Sequence, residues 1–292
     1  MIPRRRYGQS DIEVSALGLG AGQIGDARLD EASVGKLLNA AVDAGITLID
    51  TARGYGLSEE RIGRHLARRR SEIVLSTKLG YGIDGFADWT GPCVTAGVEA
   101  ALQRLRTDRI DIVHLHSCPA ETLARGEIID ALEAAKQAGK VRAIAYSGEN
   151  ADLDYAVDCG RFDGFMASLN LCDQRVIDRV LPRITGKGFI AKRPSANHPW
   201  RFAERPLGDY CEEYWLRWRA MDISNFGHAW GEIAIRFATS LPGVSSAIVG
   251  TANAANLAQN IEWFGLGPLP AYQIGNLRAA FLQHDHDWIG QI

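Results

Sequence analysis

The sequence predicts an α/β fold of the (β/α)8 TIM-barrel type, a closed sheet of eight parallel strands surrounded by helices. Three observations support this fold class. Short apolar runs alternate with amphipathic stretches eight times along the chain, which favours a closed barrel over an open sheet. The chain has 292 residues, and one such barrel typically needs about 250. No G-x-G-x-x-G segment follows the first apolar run, so a doubly wound dinucleotide-binding sheet is disfavoured.

The eight strands are predicted where short, continuous apolar runs occur. Parallel strands that are buried on both faces read as such runs, because neither face needs polar side chains. The predicted strands are residues 16–20, 47–52, 73–78, 110–116, 141–147, 164–169, 189–193 and 246–250.

Helices are predicted between the strands, where apolar residues recur at helical spacing. The stretches 31–44 and 127–138 each place apolar side chains on one face, as expected for helices that pack on a sheet. Gly45 and Gly139 follow these stretches. Glycine adopts the left-handed conformation that ends many helices, so we expect both helices to end there.

Two long segments break the alternation and predict long loops at the carboxyl-terminal mouth of the barrel. Residues 195–227 are rich in aromatic side chains without a clear strand, and residues 267–292 follow the last barrel helix. Loops that follow barrel strands lie at the mouth and shape the pocket. The polar stretch 284–288 is interpreted as a solvated terminus.

Composition excludes several classes of function. Hydrophobic residues make up 46% of the chain and charged residues 23%, which is ordinary for a globular protein with a large core. The net charge of −3 gives no sign of a nucleic-acid-binding surface. No apolar run is long enough to cross a membrane, and the basic start of the chain lacks the apolar segment of a secretory signal.

The cysteine pattern favours a reducing compartment. The five cysteines are scattered, odd in number and form no C-x-x-C pair, which is typical of reduced thiols. We therefore expect a soluble cytoplasmic protein with a small-molecule partner and no nucleic-acid or membrane partner. The sequence assigns no oligomeric state.

Polar residues at the carboxyl ends of the predicted strands are the candidates for chemistry, because barrel enzymes build their sites there. Asp50 lies at the end of the second strand, Lys78 ends the third and His116 ends the fourth. Buried charges cost several kcal/mol unless they are paired. We therefore expect Asp50 and Lys78 to face each other.

Four segments carry a resemblance to a known family. Residues 45–56 read G-I-T-L-I-D-T-A-R-G-Y-G, and S-E-E follows at 58–60; L-S-T-K ends at Lys78, I-D-I-V-H-L-H ends at His116, and G-K-V-R-A-I opens the fifth strand at 139–144. In this order and spacing they resemble the aldo-keto reductases, over about residues 4–265. The resemblance implies that residues 1–292 form a single barrel domain of that family.

The resemblance implies that Asp50, Tyr55, Lys78 and His116 are catalytic, in an enzyme that interconverts an aldehyde or ketone and an alcohol. Carbonyl reduction needs a hydride, which the cofactor supplies, and a proton. A tyrosine is a weak acid with a reference pKa of about 10, and a neighbouring ammonium stabilises its phenolate. In this scheme Tyr55 is the general acid/base, Lys78 activates it and Asp50 holds Lys78. His116 either orients the substrate oxygen or shares the proton transfer.

The resemblance further implies a nicotinamide cofactor, NADP or NAD. The implied cofactor-binding residues are Gly22, Asp50, Ser147, Asn170, Lys192, Arg193, Gly250, Thr251, Asn253, Asn256, Gln259 and Asn260. Lys192 stands where many family members carry an aromatic residue that stacks on the nicotinamide, and with Arg193 it is predicted to neutralise the pyrophosphate. The basic pair that NADP-preferring members carry near Gly250 and Asn256 is missing, which predicts a weakened preference for NADP.

Substrate contacts are predicted from two loops and from the catalytic residues. The predicted substrate-binding residues are Gln23, Ile24, Tyr55, Trp89 and His116. Trp89 and Trp200 would favour an apolar or sugar-like substrate, because rings stack on apolar faces. Packing of these loops against each other is an equally good interpretation of the two tryptophans.

Single residues also admit ordinary structural roles. Asp50 taken alone is a favoured helix cap, and Asn253 fits the same role in the eighth unit. Tyr55 taken alone fits a rim aromatic, and Lys78 fits a solvated strand end. His114 points to the same side of its strand as His116 and is interpreted as a hydrogen-bonded core residue.

Two other functions compete with the reductase hypothesis. The pair His114 and His116 would suit a metal-dependent barrel hydrolase, but a metal needs three or more convergent ligands. The remaining histidines are His65, His198, His228, His284 and His286, mostly outside strand ends. We therefore predict no metal. A non-catalytic or regulatory barrel that only binds the nucleotide is the second alternative, and the full set of four catalytic residue types argues against it.

Overall fold

The computed structural model describes residues 2–291. The barrel strands are β3 (Leu17–Gly20), β4 (Leu48–Asp50), β5 (Val74–Leu79), β6 (Ile110–His116), β7 (Val141–Ser147), β8 (Gly164–Ser168), β9 (Gly188–Lys192) and β10 (Ser246–Gly250). These eight parallel strands close into a barrel in the order β10-β3-β4-β5-β6-β7-β8-β9, which confirms the predicted fold class. Each predicted strand is found, with ends that differ by about two residues or fewer.

Helices pack around the barrel and begin and end where local chemistry allows. They are α1 (Glu31–Asp43), α2 (Ser58–Leu66), α3 (Gly91–Leu105), α4 (Ala120–Leu123), α5 (Glu127–Gln137), α6 (Asn150–Asp158), α7 (Arg175–Arg179), α8 (Glu212–Met221), α9 (Trp230–Ser240), α10 (Ala254–Gly265) and α11 (Ala271–His284). At the start of α1, Asp30 accepts a hydrogen bond from the Ser33 amide at 2.8 Å, which satisfies a free helix donor. Gly45 and Gly139 have φ of +94° and +76°, so the predicted glycine ends of α1 and α5 are confirmed.

A short antiparallel hairpin, β1 (Arg4–Arg6) and β2 (Glu13–Ser15), precedes the barrel and was not predicted. Its connecting residue Tyr7 is fully buried against the starts of β8 and β9. A Cβ at Gly164 or Gly188 would lie within 2.3 Å of the Tyr7 ring or its hydroxyl. The hairpin therefore fills the amino-terminal end of the barrel, which leaves the carboxyl-terminal end as the open mouth.

The chain end packs on the barrel mouth, so its interpretation as a solvated terminus was only partly right: His286 and Asp287 are exposed, whereas Asp285 and Trp288 are not. Asp285 forms an ion pair with Arg175 at 2.6 Å, and both side chains are largely buried. Gly290 exchanges two hydrogen bonds with the Asn150 side chain, at 2.8 and 3.0 Å. The Arg217 guanidinium donates to the Ile289 carbonyl at 2.6 Å. Residues 285–291, the tail, are thus anchored to loops that follow β7 and β8 and to α8.

Two further observations concern the environment of the chain. None of the helices within residues 2–291 combines the length and the apolar character needed to cross a membrane. All five cysteines carry free thiols, and four of them are buried.

Candidate active site

A cleft of about 610 Å³ opens at the carboxyl-terminal mouth of the barrel. The predicted site residues that line it are Gly22, Gln23, Asp50, Tyr55, Lys78, His116, Ser147, Lys192, Arg193, Gly250 and Asn260. They come from the ends of seven different barrel strands, the loops that follow them and helix α10. The closed barrel therefore brings together residues that are more than two hundred positions apart in sequence.

A buried ion pair lies at the base of the cleft. The Lys78 ammonium donates to Asp50 Oδ2 at 2.6 Å and to the Thr51 carbonyl at 2.8 Å, and both charged side chains are 2% exposed. The second carboxylate oxygen of Asp50 accepts from Ser76 Oγ at 2.7 Å. Burial lowers the pKa of Lys78, but its interactions with Asp50 and Tyr55 together outweigh burial and raise that pKa. The pairing therefore favours the protonated form of Lys78 inside the cleft.

The loop after β4 holds Tyr55 above this ion pair. The Lys78 ammonium lies 5.0 Å from the centroid of the Tyr55 ring. A Cβ at Gly25 would come within 1.8 Å of the Tyr55 carbonyl oxygen, so only glycine allows the two loops to pack this closely. The Leu57 amide donates to the Gly25 carbonyl at 3.0 Å and fixes the loop from its other end. Tyr55 is therefore positioned by the backbone of two loops.

His116 lies at the end of β6 beside Tyr55. The two ring centroids are 5.8 Å apart with the rings nearly perpendicular. The Tyr81 hydroxyl and His116 Nδ1 form a hydrogen bond of 2.7 Å. Burial, together with the charges of Lys78 and Lys192, lowers the pKa of His116 to about 3. The imidazole is therefore neutral at physiological pH.

His114 lies deeper in the barrel than His116 on the same strand. Its side chain is fully buried, and Nε2 shares a hydrogen bond of 3.1 Å with Ser76 Oγ, which itself bonds Asp50. Among residues 2–291, no group of three or more histidine, cysteine, aspartate or glutamate side chains is arranged to hold a metal ion. Each histidine of the pair has a protein partner instead.

The neighbouring strand ends present a hydroxyl and two cations. Ser147 Oγ, at the end of β7, is buried beside the cleft and has no hydrogen-bond partner among residues 2–291. Lys192, at the end of β9, lies 3.1 Å from Glu149 Oε1. The Arg193 guanidinium donates to the Tyr210 hydroxyl and to the Gln291 carbonyl, which are neutral groups. An unpartnered donor and an excess of positive charge are suited to an anionic ligand with amide groups.

The segment after β10 joins the cleft to the amino terminus of α10. Gly250 lines the cleft beside the Gln23 side chain, which would lie 2.7 Å from a Cβ at that position. Asn253 caps α10 by accepting from the Ala255 and Asn256 amides at 2.8 and 3.3 Å. A helix amino terminus beside a glycine is a natural position for a phosphate.

Several residues with predicted binding roles do not line the cleft. These are Ile24, Trp89, Asn170, Thr251, Asn253, Asn256 and Gln259. Ile24 is fully buried in the core, and Gln259 donates to Glu262 on the exposed side of α10. Trp89 packs over Gly80, where a Cβ would lie 2.2 Å from the indole. Trp200, which with Trp89 suggested an apolar or sugar-like substrate, stacks on Trp230, so packing explains both tryptophans.

The cleft also contains residues that sequence reasoning did not select. They are Gly20, Ser117, Pro194, Ser195, Asn197, His198, Tyr210, Ile248 and Val249. Tyr81 and Glu149 contact His116 and Lys192 without having been predicted. Position 117 directly follows the end of β6 and position 149 lies two residues after the end of β7, and that placement was the available signal. Tyr210 lies just before α8 in the segment 195–227. That segment was predicted to be a loop throughout, which is wrong for Glu212–Met221, and its path before α8 has no sequence signature.

Comparison with known proteins identifies the family that the sequence resembles. The sequence model of the Aldo/keto reductase family matches residues 16–172, which is more than half of the chain and includes all four proposed catalytic residues. The chain belongs to the aldo/keto reductase family. Aldo/keto reductases are oxidoreductases that interconvert carbonyl and alcohol groups with NAD(P)H, and the enzyme class predicted from sequence is confirmed.

Individual relatives extend this aldo/keto reductase similarity to almost the whole chain. The uncharacterized oxidoreductase YqkF of Bacillus subtilis is 29% identical, covering 89% of this chain and 90% of its own. A D-threo-aldose 1-dehydrogenase from a Pseudomonas species is 28% identical, covering 87% and 91%. The solved holo form of an aldo-keto reductase from Bacillus halodurans superposes with a TM-score of 0.83 at 25% identity, covering 96% of both chains.

Proposed function

We propose that this aldo/keto reductase interconverts an aldehyde or ketone and an alcohol with Tyr55 as the general acid/base. The observation that carries the proposal is the buried ion pair of Lys78 and Asp50, whose ammonium lies 5.0 Å from the Tyr55 ring centroid in the cleft. A proton that leaves the Tyr55 hydroxyl generates a phenolate. The charge of Lys78 stabilises this phenolate, and Asp50 keeps Lys78 charged and in place.

His116 orients the substrate in this proposal and transfers no proton of its own. When the Tyr81 hydroxyl donates to Nδ1 of His116, the neutral imidazole carries its proton on Nε2. That N–H is then available to the substrate oxygen, which Tyr55 approaches from the neighbouring loop. Two donors fix the oxygen, so the carbonyl carbon is held in one orientation.

Residues of the cleft fit a nicotinamide dinucleotide. The buried Ser147 hydroxyl lacks a partner and suits the carboxamide group. Arg193 and the amino terminus of α10 beside Gly250 suit the phosphates. When bound, the nucleotide supplies or accepts the hydride. Lys192 and Asn260 line the same cleft and complete the proposed binding set.

Titration with NADPH and NADH, followed by a panel of aldehydes, ketones and sugars monitored by absorbance, tests the proposed function. We expect saturable binding of at least one reduced nucleotide and its oxidation by at least one carbonyl compound. A chain that binds neither nucleotide would overturn the proposal. We further propose that residues 1–292 act as one domain in the cytoplasm on a small molecule, without a nucleic-acid partner, as the net charge of −3 supports.

The preference for NADPH over NADH is expected to be weak. No lysine or arginine occurs between positions 250 and 265, and the one charged residue there is Glu262. An adenosine 2′-phosphate near α10 would therefore lack cationic partners in that segment. The KM values for the two reduced nucleotides should differ by far less than a thousandfold, which corresponds to about 4 kcal/mol. A thousandfold preference for NADPH would contradict this expectation.

The catalytic rate is expected to show no titration of His116 between pH 5 and 8. Its pKa is lowered to about 3, so the ring is already neutral above about pH 4 and gains its proton only below that. The pH profile of kcat/KM for carbonyl reduction, measured for the wild-type chain and for His116→Gln, tests this expectation. An inflection near pH 6.5 that disappears in the variant would show that His116 titrates near its ordinary pKa.

A further inference from the structure

A second buried ion pair faces the cleft and has no part in the proton transfer described above. Lys192 at the end of β9 pairs with Glu149 at 3.1 Å, and their side chains are 14% and 3% exposed. Glu149 Oε1 also accepts from the Ser168 amide at 2.8 Å. A Cβ at Gly290 would lie 3.1 Å from Glu149 Oε2, so the tail packs against the carboxylate. The pair is therefore held from several sides.

The Lys192 ammonium points toward the barrel axis. In the closed order of strands, β9 lies directly opposite β5, which carries Lys78. Lys192 lines the same cleft as Tyr55, Lys78 and His116, and its charge contributes to the lowered pKa of His116. The two ammonium groups thus face one cleft from opposite walls.

A buried ion pair is a costly way to stabilise a protein. Apolar residues of similar volume are often as stabilising or more so, because they avoid the loss of hydration. A buried pair in a cleft is therefore a candidate for function. Burial lowers the pKa of Lys192 and Glu149 opposes that shift, so the positive charge at this wall depends on the pair.

The proposed reaction places the nicotinamide near this wall. Tyr55 and His116 hold the carbonyl oxygen, and the hydride-donating carbon must approach the carbonyl carbon to about 3–3.5 Å. The β4–β6 side of the cleft is occupied by Tyr55, Lys78 and His116. The unpartnered Ser147 hydroxyl and Lys192 line the β7–β9 side of the cleft, toward Arg193 and α10, where phosphates fit. A nicotinamide ring that lies between the carbonyl held by Tyr55 and His116 and the phosphates near Arg193 would therefore lie close to Lys192.

We propose that Lys192 is a specificity-determining residue that makes the cleft favour the reduced nucleotide over the oxidised one. This inference rests on the proposed function. The reduced nicotinamide ring is neutral, whereas the oxidised ring carries a positive charge. A fixed ammonium nearby repels the oxidised ring alone, and Glu149 offsets part of that repulsion.

Dissociation constants for the oxidised and reduced nucleotides test the proposal without a turnover assay. The ratio is the dissociation constant of the oxidised nucleotide divided by that of the reduced nucleotide, so a high ratio means a preference for the reduced form. It is measured for NADP⁺ and NADPH, and for NAD⁺ and NADH, by fluorescence titration and competition. The variants are Glu149→Gln, Lys192→Met and the double variant that carries both changes. Lys187→Met, which removes a lysine at the opposite end of β9, is the matched control. Thermal unfolding of each variant checks that it is folded.

The expected ratios follow the charge that remains at the wall. Lys192→Met leaves Glu149 without a cation and has the lowest ratio, followed by the double variant and then the wild-type chain. Glu149 raises the pKa of Lys192 against the effect of burial, so Glu149→Gln favours loss of the positive charge and is expected to match the double variant. We expect Lys192→Met to lower the ratio by about five- to tenfold, and Lys187→Met to leave it unchanged. The double variant retains a neutral wall, so the order can still be tested if an unpaired Glu149 prevents Lys192→Met from folding.

Ratios that agree within about twofold among the wild-type chain and the folded Glu149 and Lys192 variants would overturn the role of Lys192. Failure of the wild-type chain to bind any of the four nucleotides is a different result. It would overturn the proposed function itself, and the first titration alone would reveal it.

Discussion

Replacing Tyr55 with phenylalanine is expected to lower kcat by about 10²–10⁴-fold, the usual contribution of a positioned general acid/base. The substitution removes one oxygen and keeps the ring, which packs beside Gly22 and His116. Lys78 keeps its bond to Asp50, so no buried charge loses its partner. Steady-state kinetics with a responsive carbonyl substrate, together with nucleotide titration, measures the effect.

The kinetic pattern distinguishes chemistry from binding. Nucleotide affinity should stay within about threefold of the wild-type value, because phenylalanine fills the same space. Tyr272→Phe, which changes an exposed tyrosine on α11, is the matched control and should leave kcat unaltered. A Tyr55→Phe enzyme with at least a tenth of wild-type kcat would remove Tyr55 from its proposed role.

Replacing Lys78 with methionine is expected to cost about 3–5 kcal/mol of folding free energy as well as most of the activity. Asp50 would then be a buried carboxylate that retains only Ser76 as a side-chain donor. Urea denaturation monitored by circular dichroism measures the loss of stability. Lys36→Met on the outer helix α1 removes a lysine without an ion pair in the structure and should change stability by less than about 0.5 kcal/mol.

The double variant that combines Asp50→Asn with Lys78→Met separates pairing from packing. Removing both charges eliminates the unpaired carboxylate, so the double variant should be more stable than Lys78→Met. It should still be inactive, because the phenolate of Tyr55 would have no cation beside it. If Lys78→Met unfolds at the same urea concentration as the wild-type chain, the ion pair is not buried as the structure has it.

The barrel was predictable because its strands are buried on both faces. β6 and β7 were predicted at their observed bounds, since their apolar runs end abruptly at His116 and Ser147. The hairpin of β1 and β2 escaped prediction because it has three residues per strand and alternates little. Its position depends on Tyr7 filling space that Gly164 and Gly188 leave open, a long-range relation without local periodicity.

The candidate site was predictable where side chains carry the chemistry. Asp50, Tyr55, Lys78 and His116 all line the cleft, because the ends of parallel strands converge in a barrel. Tyr81 was missed because its position depends on the loop in which Trp89 packs over Gly80. Glu149 was missed because its partner Lys192 comes from a strand 43 positions later, and apolar patterning says nothing about which charges meet.

The anchoring of the tail affects the order in which the barrel and the loops at its mouth can fold. Gly290 meets Asn150 across 140 positions, and the Gln291 carbonyl meets Arg193 across 98. Bringing together residues that are so far apart in sequence costs considerable chain entropy, and this cost arises before the stabilising contacts form. The loops that follow β7, β8 and β9 therefore cannot reach their final arrangement through local contacts alone. A polypeptide that stops before residue 289 would have a closed barrel whose loops at this side of the mouth lack the contacts of the tail.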